Sequence, residues 1–518
     1  MARLLMPRYF IPILIALACV GAITLIDNDG QRAVAQKAED AQRGKPSVVL
    51  IIMDEFPVDQ MLRSDGKIDA VRYPNFAALA AGGTWFKNAS TTYDSTTRAI
   101  PQVMDGRLAR KSTTPDFVGH PNSVYTIFGR RGYRIVSSQE ATSVCPPRYC
   151  KGARRKRPDI LPLLQSGRRD RLNRFFAAIK PGKPTLYLKH VLLPHGPYMF
   201  LPSGKQTRRT FRDPLPGMNG PVGFGSRTLT EHNRQRLQLQ IAFADREIGR
   251  MITRMKANGT YDPSLIAITA DHGISFQVGV KDRRTATRSN IDEVAPVPLF
   301  IKAPGQRRGR TSSAYARTVD VVPTIADLLN FKMPYRADGR SAFSATVRKR
   351  RFVRMIRRGF NGTLTVSAKN MERRRRALVR DKVAKFGQGD FASLYTGIGP
   401  NRQLLGKLTA ALKPAAQGSL RTQIANASDM RSVDPGSEVH ATQVAGSLTG
   451  GKRGRGRDLA VAVNGRIEAV GQTFRLRGSS KESYALMVPE SALKPGRNSV
   501  ELFEVTDKGT KLQLIGKA

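Results

Sequence analysis

The stretch "SVVLIIMDE", residues 47–55, constrains the fold of this chain more than any other. It is apolar and β-branched without alternation, as a strand buried on both faces of a parallel sheet requires. It ends in two acids, Asp54 and Glu55, so a buried strand delivers carboxylates to its own carboxyl end. "YPNFAALAAGG" follows with helical spacing and a glycine stop. Further strands are expected over 134–138, 185–193, 265–270 and 298–302. A helix is expected over 231–257, with Leu237, Ile241, Ile248, Ile252 and Met255 on one side and Gly259 after it. Strands alternating with helices predict an α/β sandwich with a mostly parallel central sheet over 46–345.

Residues 346–430 are very basic with few strand signals, which predicts a helical or irregular extension. Residues 431–518 read as a small β module with a hairpin signal at Asn464-Gly465 and no catalytic cluster. At the other end, residues 1–8 carry Arg3 and Arg8 ahead of an uncharged stretch, 9–26, closed by Asp27 and Asp29 and followed by a linker to 45. That stretch is just long enough to cross a bilayer, and the positive charge before it sets the remainder outside the cytoplasm. The expectation is a single-pass membrane anchor with an extracytoplasmic catalytic domain. "AVAQ", 33–36, resembles a cleavage site, and cleavage there would make the protein secreted. Cys145 and Cys150 in "CPPRYC" suit a small disulfide in an oxidising compartment; a two-cysteine metal site would lack neighbouring ligands. With 86 Lys+Arg against 40 Asp+Glu, net +46, the chain favours polyanionic partners: an anionic lipid or a cell-envelope polymer. Nucleic acid is disfavoured, since aromatics are few and no binding motif accompanies the charge. The basic runs at 151–157, 348–358 and 373–376 look partly like a habit of placing arginine on surfaces.

Two polar clusters fall at the carboxyl ends of expected strands, where open α/β sheets place their ligands. Asp54-Glu55 ends one, and Asp271-His272 in "LIAITADHGISF" ends another. Carboxylates and an imidazole from different strands make a divalent-metal site. His190 and His195 lie in "KHVLLPHGPY"; a core histidine bonded to backbone is the alternative for His190. His120, His232 and His440 read as surface or satisfied residues. "TTYDSTTRAIPQVMDG", 91–106, crowds hydroxyls that a metal held by Asp54, Asp271 and His272 would activate. Arg283 and Arg284 in "VKDRR" are placed to grip an anionic substrate bidentately, or else form a solvated basic surface.

Taken in order, "VVLIIMDE", the segment from "YPNFAALAAGG" to "IPQVMDG", "HVLLPHGPY", "ITADHG", "VPLFIKAPGQ" and "TVDVVPTIADLL" resemble the alkaline phosphatase/sulfatase superfamily, over roughly 47–330. The resemblance is to its sulfatase-like membrane-anchored members. It implies a nucleophile ten residues before the Gly of a closing Thr-Gly pair. That count from Gly106 gives Thr96, with Asp105 in place of the closing Thr and Thr97, Ser95 and Thr92 as fallbacks. It implies Asp54, Thr96, Asp271 and His272, with Glu55 as a further ligand, around one metal, and His195, less directly His190, stabilising charge or protonating the leaving alcohol. Sulfatases proper convert Cys or Ser in Cys/Ser-x-Pro-x-Arg to formylglycine. Here the segment is Asp94-Ser95-Thr96-Thr97-Arg98, so the resemblance points to Thr-nucleophile members such as lipoteichoic acid synthase-like and phosphoethanolamine transferase-like enzymes. Two-metal relatives use Asp-x-x-x-His, and Val191 stands four before His195, which implies a single ion. A histidine ligand favours Mn or Zn over Ca or Mg. The resulting expectation is a hydrolase or transferase acting on phosphoester, specifically phosphodiester, groups of lipid or envelope substrates. A sulfuric ester hydrolase and an inactive polyanion-binding envelope protein are the alternatives.

Overall fold

In the computed structural model β1 (Val48–Asp54) is buried at every position and runs through the middle of a seven-stranded sheet. The structure describes residues 44–207, 226–280, 282–396, 398–451, 456–476 and 478–518, so the expected membrane segment at 9–26 and the "AVAQ" site lie outside the described residues. Among the described residues no helix is long and apolar enough to cross a membrane. β1 is flanked in parallel by β4 (Thr185–Pro194) and β5 (Leu265–Ala270), and β3 (Arg134–Ser138) continues the parallel part beyond β4. Past β5 the direction reverses: β6 (Leu299–Lys302) is antiparallel to both β5 and β2 (Thr84–Phe86), and β7 (Arg310–Ser312) closes that edge parallel to β2. The sheet is mostly parallel, as expected, with an antiparallel segment that the sequence reading did not separate.

The unbroken apolar run of β1 has a simple cause. Val49, Ile51 and Met53 face one core, with Ile241, Ile248 and Met251. Val48, Leu50 and Ile52 face the other, with Ile100, Val103, Met104 and Val322. Side chains alternate across a strand, so a strand with a core on each face has no polar side to present. Each such Val, Leu or Ile contributes about 1.5–3 kcal/mol by burial.

The long helix Arg227–Ala257 begins four residues before the expected start because the Ser226 hydroxyl caps it, accepting from the Leu229 amide at 3.2 Å. It is buried on more than one side, since the seven-stranded sheet covers one face and the β module another: Arg236 donates to the Ala485 carbonyl at 2.9 Å, and Leu239 packs with Met487. The 346–430 region is more regular than its composition suggested. It forms a hairpin, β8 (Phe352–Ile356) and β9 (Thr363–Ser367), then a 19-residue helix, Ala368–Phe386, capped by Ser367. Val353, Met355 and Leu364 share a core with Ala286, Ile291, Val294 and Ala295 of the α/β domain. In the β module, a three-stranded and a four-stranded sheet enclose a common core. Asn464 (φ 50°) and Gly465 (φ 78°) form the hairpin turn between Asp458–Val463 and Arg466–Gln472, both with the positive φ that a type I′ turn needs.

Asp245 ties the long helix to the helix Pro74–Gly82 by accepting from the Phe76 amide at 2.6 Å and the Asn75 amide at 3.1 Å. Burial outweighs these bonds and pushes its carboxyl up to about 6. A folded value above the unfolded one means that the native state holds the proton more tightly. The contribution is therefore complete below about pH 4 and is lost as the pH rises through 6. In urea titrations, wild type should lose about 1–3 kcal/mol relative to Asp245→Asn between pH 4 and pH 7. A difference that stays constant across that range would refute the assignment.

Candidate active site

At the carboxyl end of β1 the register shifts between Met53 and Asp54, and Glu55 takes a left-handed backbone conformation (φ 58°). A positive φ is uncommon for a side chain of this kind and persists only where neighbours enforce it. Here the Glu55 amide donates to Asp271 Oδ1 at 3.1 Å, and the Phe56 amide to the His272 carbonyl at 2.9 Å. The turn sends the two consecutive acids to different partners.

Asp54 joins Asp271 and His272, the three offering ligand atoms within 4.8 Å of one another. All are buried. His272 Nδ1 faces the Gly273 carbonyl at 2.9 Å, which directs Nε2 toward Asp271 Oδ2 at 3.3 Å. Thr96 Oγ1 lies 3.4 Å from Asp54 Oδ1 and 3.4 Å from His272 Nε2. Asp54 Oδ2 and Asp271 Oδ2 are buried with no hydrogen-bond partner among the described residues. Burial opposes the Asp54 charge, yet His195, His190 and His272 hold it well below the usual carboxylate range. Asp271 goes the other way: burial, then the charge of Asp54, pushes it up to about 7. Burial disfavours charge on His272, but Asp271, Asp54 and Glu55 outweigh it and raise the imidazole. Two carboxylates this close cannot both ionise without added positive charge. Oxygens left without partners beside an imidazole and a hydroxyl suit a divalent cation, held by Asp54, Asp271, His272 and Thr96.

Glu55 falls instead into a group with Asp54 and His195. It does not come into the Asp271–His272 group where a fifth ligand was expected. Both its oxygens are taken by Arg283, with Nε at 3.1 Å from Oε2 and Nη2 at 2.8 Å from each oxygen. Arg283 is thus neither the solvated surface residue nor wholly free for an anionic substrate: Nε and Nη2 are committed to Glu55, while Nη1 has no hydrogen-bond partner among the described residues. A buried carboxylate needs a cation, and the guanidinium supplies it. Burial opposes the Glu55 charge, but Arg283, His195 and Arg284 hold it below its ordinary value. Arg284 stays partly open, 3.3 Å from Asp282 and 3.9 Å from Glu55.

His195 points Nε2 at Glu55 Oε1 from 3.3 Å, while Nδ1 faces the Gly196 carbonyl. Burial lowers its affinity for a proton more than Glu55 and Asp54 restore it. Its loop is pinned by two side chains the sequence reading missed. Arg168, the first residue of the helix Arg168–Ala178, donates to the carbonyls of Leu192, His195 and Pro197, and Gln240 Nε2 to those of Pro194 and His195. Nothing in their local sequence marks them; only the fold brings them there. His190 is buried on β4 opposite Ile52, with Nε2 3.4 Å from Asp54 Oδ2, so it faces the acid rather than backbone.

The other hydroxyls of the 91–106 segment are turned elsewhere. Thr91 donates to the Tyr93 carbonyl at 3.0 Å, Thr92 to Gln102, and Ser95 and Thr97 lie 3.5 Å from each other. Cys145 and Cys150 form a disulfide. His120 pairs with Asp105 at 2.7 Å. His232 corrects the reading of surface or satisfied: it is buried with neither ring nitrogen hydrogen-bonded among the described residues, and burial pushes it down to about 3.

The sulfatase family model matches residues 46–331, more than half of the chain. The chain is similar to an ulvan-active sulfatase of Formosa agariphila, 28% identical over 166 residues that cover 31% of this chain and 31% of that protein. It is also similar to the multifunctional alkaline phosphatase superfamily protein PehA of Trinickia caryophylli, 33% identical over 96 residues, 18% of each chain. The chain thus spans under a third of the length of these curated relatives. Among solved structures, a phosphonate monoester hydrolase from Silicibacter pomeroyi aligns with a TM-score of 0.45 and 18% identity, covering 60% of this chain and 79% of that one.

Saturated with Mn and dialysed, the protein should retain about one ion per chain by plasma mass spectrometry. Asp54→Asn and Asp271→Asn should each weaken binding by about tenfold or more. Retention of two ions would show that Arg283 does not fill the charge requirement of Glu55.

Proposed function

The chain belongs to the sulfatase family, and from that premise we propose that it is a metal-dependent hydrolase or transferase of phosphoesters with Thr96 as nucleophile. One observation carries the reading: the Thr96 hydroxyl, rather than another of its segment, reaches both Asp54 and His272. With Thr at this position and no Pro two residues on, the formylglycine route of sulfate-ester hydrolysis is closed.

A divalent ion held by Asp54, Asp271, His272 and Thr96 would supply Lewis-acid stabilisation of a phosphoryl oxygen and ease ionisation of the hydroxyl. The chain's own groups do the rest. Thr96 opens the helix Thr96–Asp105, where the amide dipoles favour the negative charge its oxygen acquires. The Thr96 hydroxyl gives up its proton to solvent, and attack by Oγ1 on phosphorus forms a Thr96–O–P bond as the ester P–O bond breaks. His195, whose Nε2 lies 3.3 Å from Glu55, stabilises the charge on the departing alcohol or, when protonated, gives it a proton. Arg284, partly open at the rim, meets the remaining negative oxygens. Water or a second alcohol then attacks phosphorus, losing its proton to the now neutral His195, and the Thr96–O–P bond breaks with Oγ1 taking a proton back from solvent. The net charge of +46 supports an anionic lipid or envelope polymer as the substrate. The uncharged stretch at 9–26 and the disulfide support an extracytoplasmic, membrane-anchored site.

In Mn-containing buffer, turnover of bis-p-nitrophenyl phosphate should exceed that of p-nitrophenyl sulfate by about tenfold or more, and Thr96→Ala should lower kcat by about a thousandfold. Acid-quenched wild type should carry the phosphoryl adduct on Thr96. Preference for the sulfate ester, or an adduct on Thr97 or Ser95, would overturn the assignment.

A further inference from the structure

The β8–β9 hairpin lies at 352–367, past the end of the family match at 331, yet its tip rests on the segment that carries Thr96. Arg358, at that tip, donates from Nε to Asp94 Oδ1 at 3.2 Å and from Nη2 to the Asp94 carbonyl at 2.8 Å. Its Nη1 donates to Asp282 Oδ2. One guanidinium thus joins the residue two before Thr96 to the residue before Arg283. Asp94 is fully buried and also accepts from the Ala286 amide at 2.8 Å, so the same carboxylate binds both sides of the seam.

A second set of contacts comes from Phe360. Its backbone is left-handed (φ 64°), a genuine outlier for a bulky residue. Its ring lies 5.2 Å from that of Tyr93 and under the Arg98 guanidinium at 5.4 Å. Strain of this kind persists where the surroundings over-determine it and gathers at functional sites. The Ile356 amide adds a backbone bond to the Thr92 carbonyl at 2.9 Å. The hairpin therefore holds the nucleophile segment before and after Thr96.

We propose that the β8–β9 hairpin is a built-in wall of the catalytic centre, with Arg358 the positioning residue that fixes the Thr96 segment against the loop carrying Arg283. This rests on the reading of Thr96 as nucleophile, but the geometry it predicts is measurable without turnover. A group that only welded the extension to the domain would have no reason to bind residues two before Thr96 and one before Arg283.

The experiment compares full-length wild type, Arg358→Gln, Arg358→Lys and, as control, Arg373→Gln on the exposed side of the helix Ala368–Phe386. Hydrogen–deuterium exchange is followed in peptides covering 91–98 and 282–286, alongside kcat and KM on bis-p-nitrophenyl phosphate. In Arg358→Gln, exchange in both peptides should rise by about tenfold, well beyond any rise in peptides elsewhere in the chain, and not in the control. Its kcat should fall by about 10- to 100-fold with KM little altered, and Arg358→Lys should recover part of it. Unchanged exchange in 91–98, or raised exchange with wild-type kcat, would overturn the proposal. Should Arg358→Gln not fold, Asp282→Asn removes one acceptor at the rim and must show the same pattern in reduced form. Absence of turnover in wild type would refute the phosphoester reading, leaving the exchange result to decide the hairpin's role.

Discussion

Three carboxylates and three imidazoles share one buried volume at the carboxyl edge of the sheet, and much of the surrounding structure is arranged around the charge gathered there. Asp54, Glu55, Asp271, His190, His195 and His272 are all buried. An ion taken from water costs several kcal/mol unless it is paired. The three acids meet this demand in three ways. Asp54 is surrounded by histidines, Glu55 is locked to Arg283, and Asp271, with an unpartnered oxygen, is left to a proton or a cation. The left-handed turn at Glu55 makes the division possible, because it aims adjacent side chains at separate partners.

The sheet and the acids at its edge were legible because both are local statements. A run without polar residues needs two cores, and Asp54, Asp271 and His272 each follow directly on such a run. Thr96 emerged from a count within a resembled motif. Partner choice across the chain was not legible. Glu55 and Arg283 are 228 residues apart, and one basic residue among 86 carries no mark of its destination. The same blindness affected the basic runs. Much of the arginine read as surface habit turns inward: Arg350 to Asp320, Arg358 to Asp94, Arg374 to Asp292 and Arg375 to Asn88. β2 and β7, at three residues each, are too short to show a period. β8 alternates exposed and buried positions, with an arginine in its middle that hid the pattern.

The departures of the segment carrying Thr96 from the formylglycine pattern have visible local causes or consequences. Asp105, standing where a closing Thr would be, pairs with His120 and accepts from the Arg107 amide at 2.8 Å. Gly106 follows at φ 69°, and a Cβ there would meet Pro323 at 3.1 Å, so this glycine is demanded by both backbone and neighbour. The segment is thereby anchored at its far end, while its near end is anchored by residues well outside it.

The hydrophobic cluster beneath the hairpin bears on how such a protein can be inherited. Ala286, Ile291, Val294 and Ala295 belong to the family-matched stretch, whereas Val353, Met355, Leu364 and Met371 come after it, and the eight form one interior. A recombination event that cut at the end of the match would expose half of that interior and strand the other half. The unit that can pass intact from one gene to another is therefore longer than the stretch by which the family is recognised. A change of volume on one side of that boundary is felt directly on the other, because the interior is packed without slack.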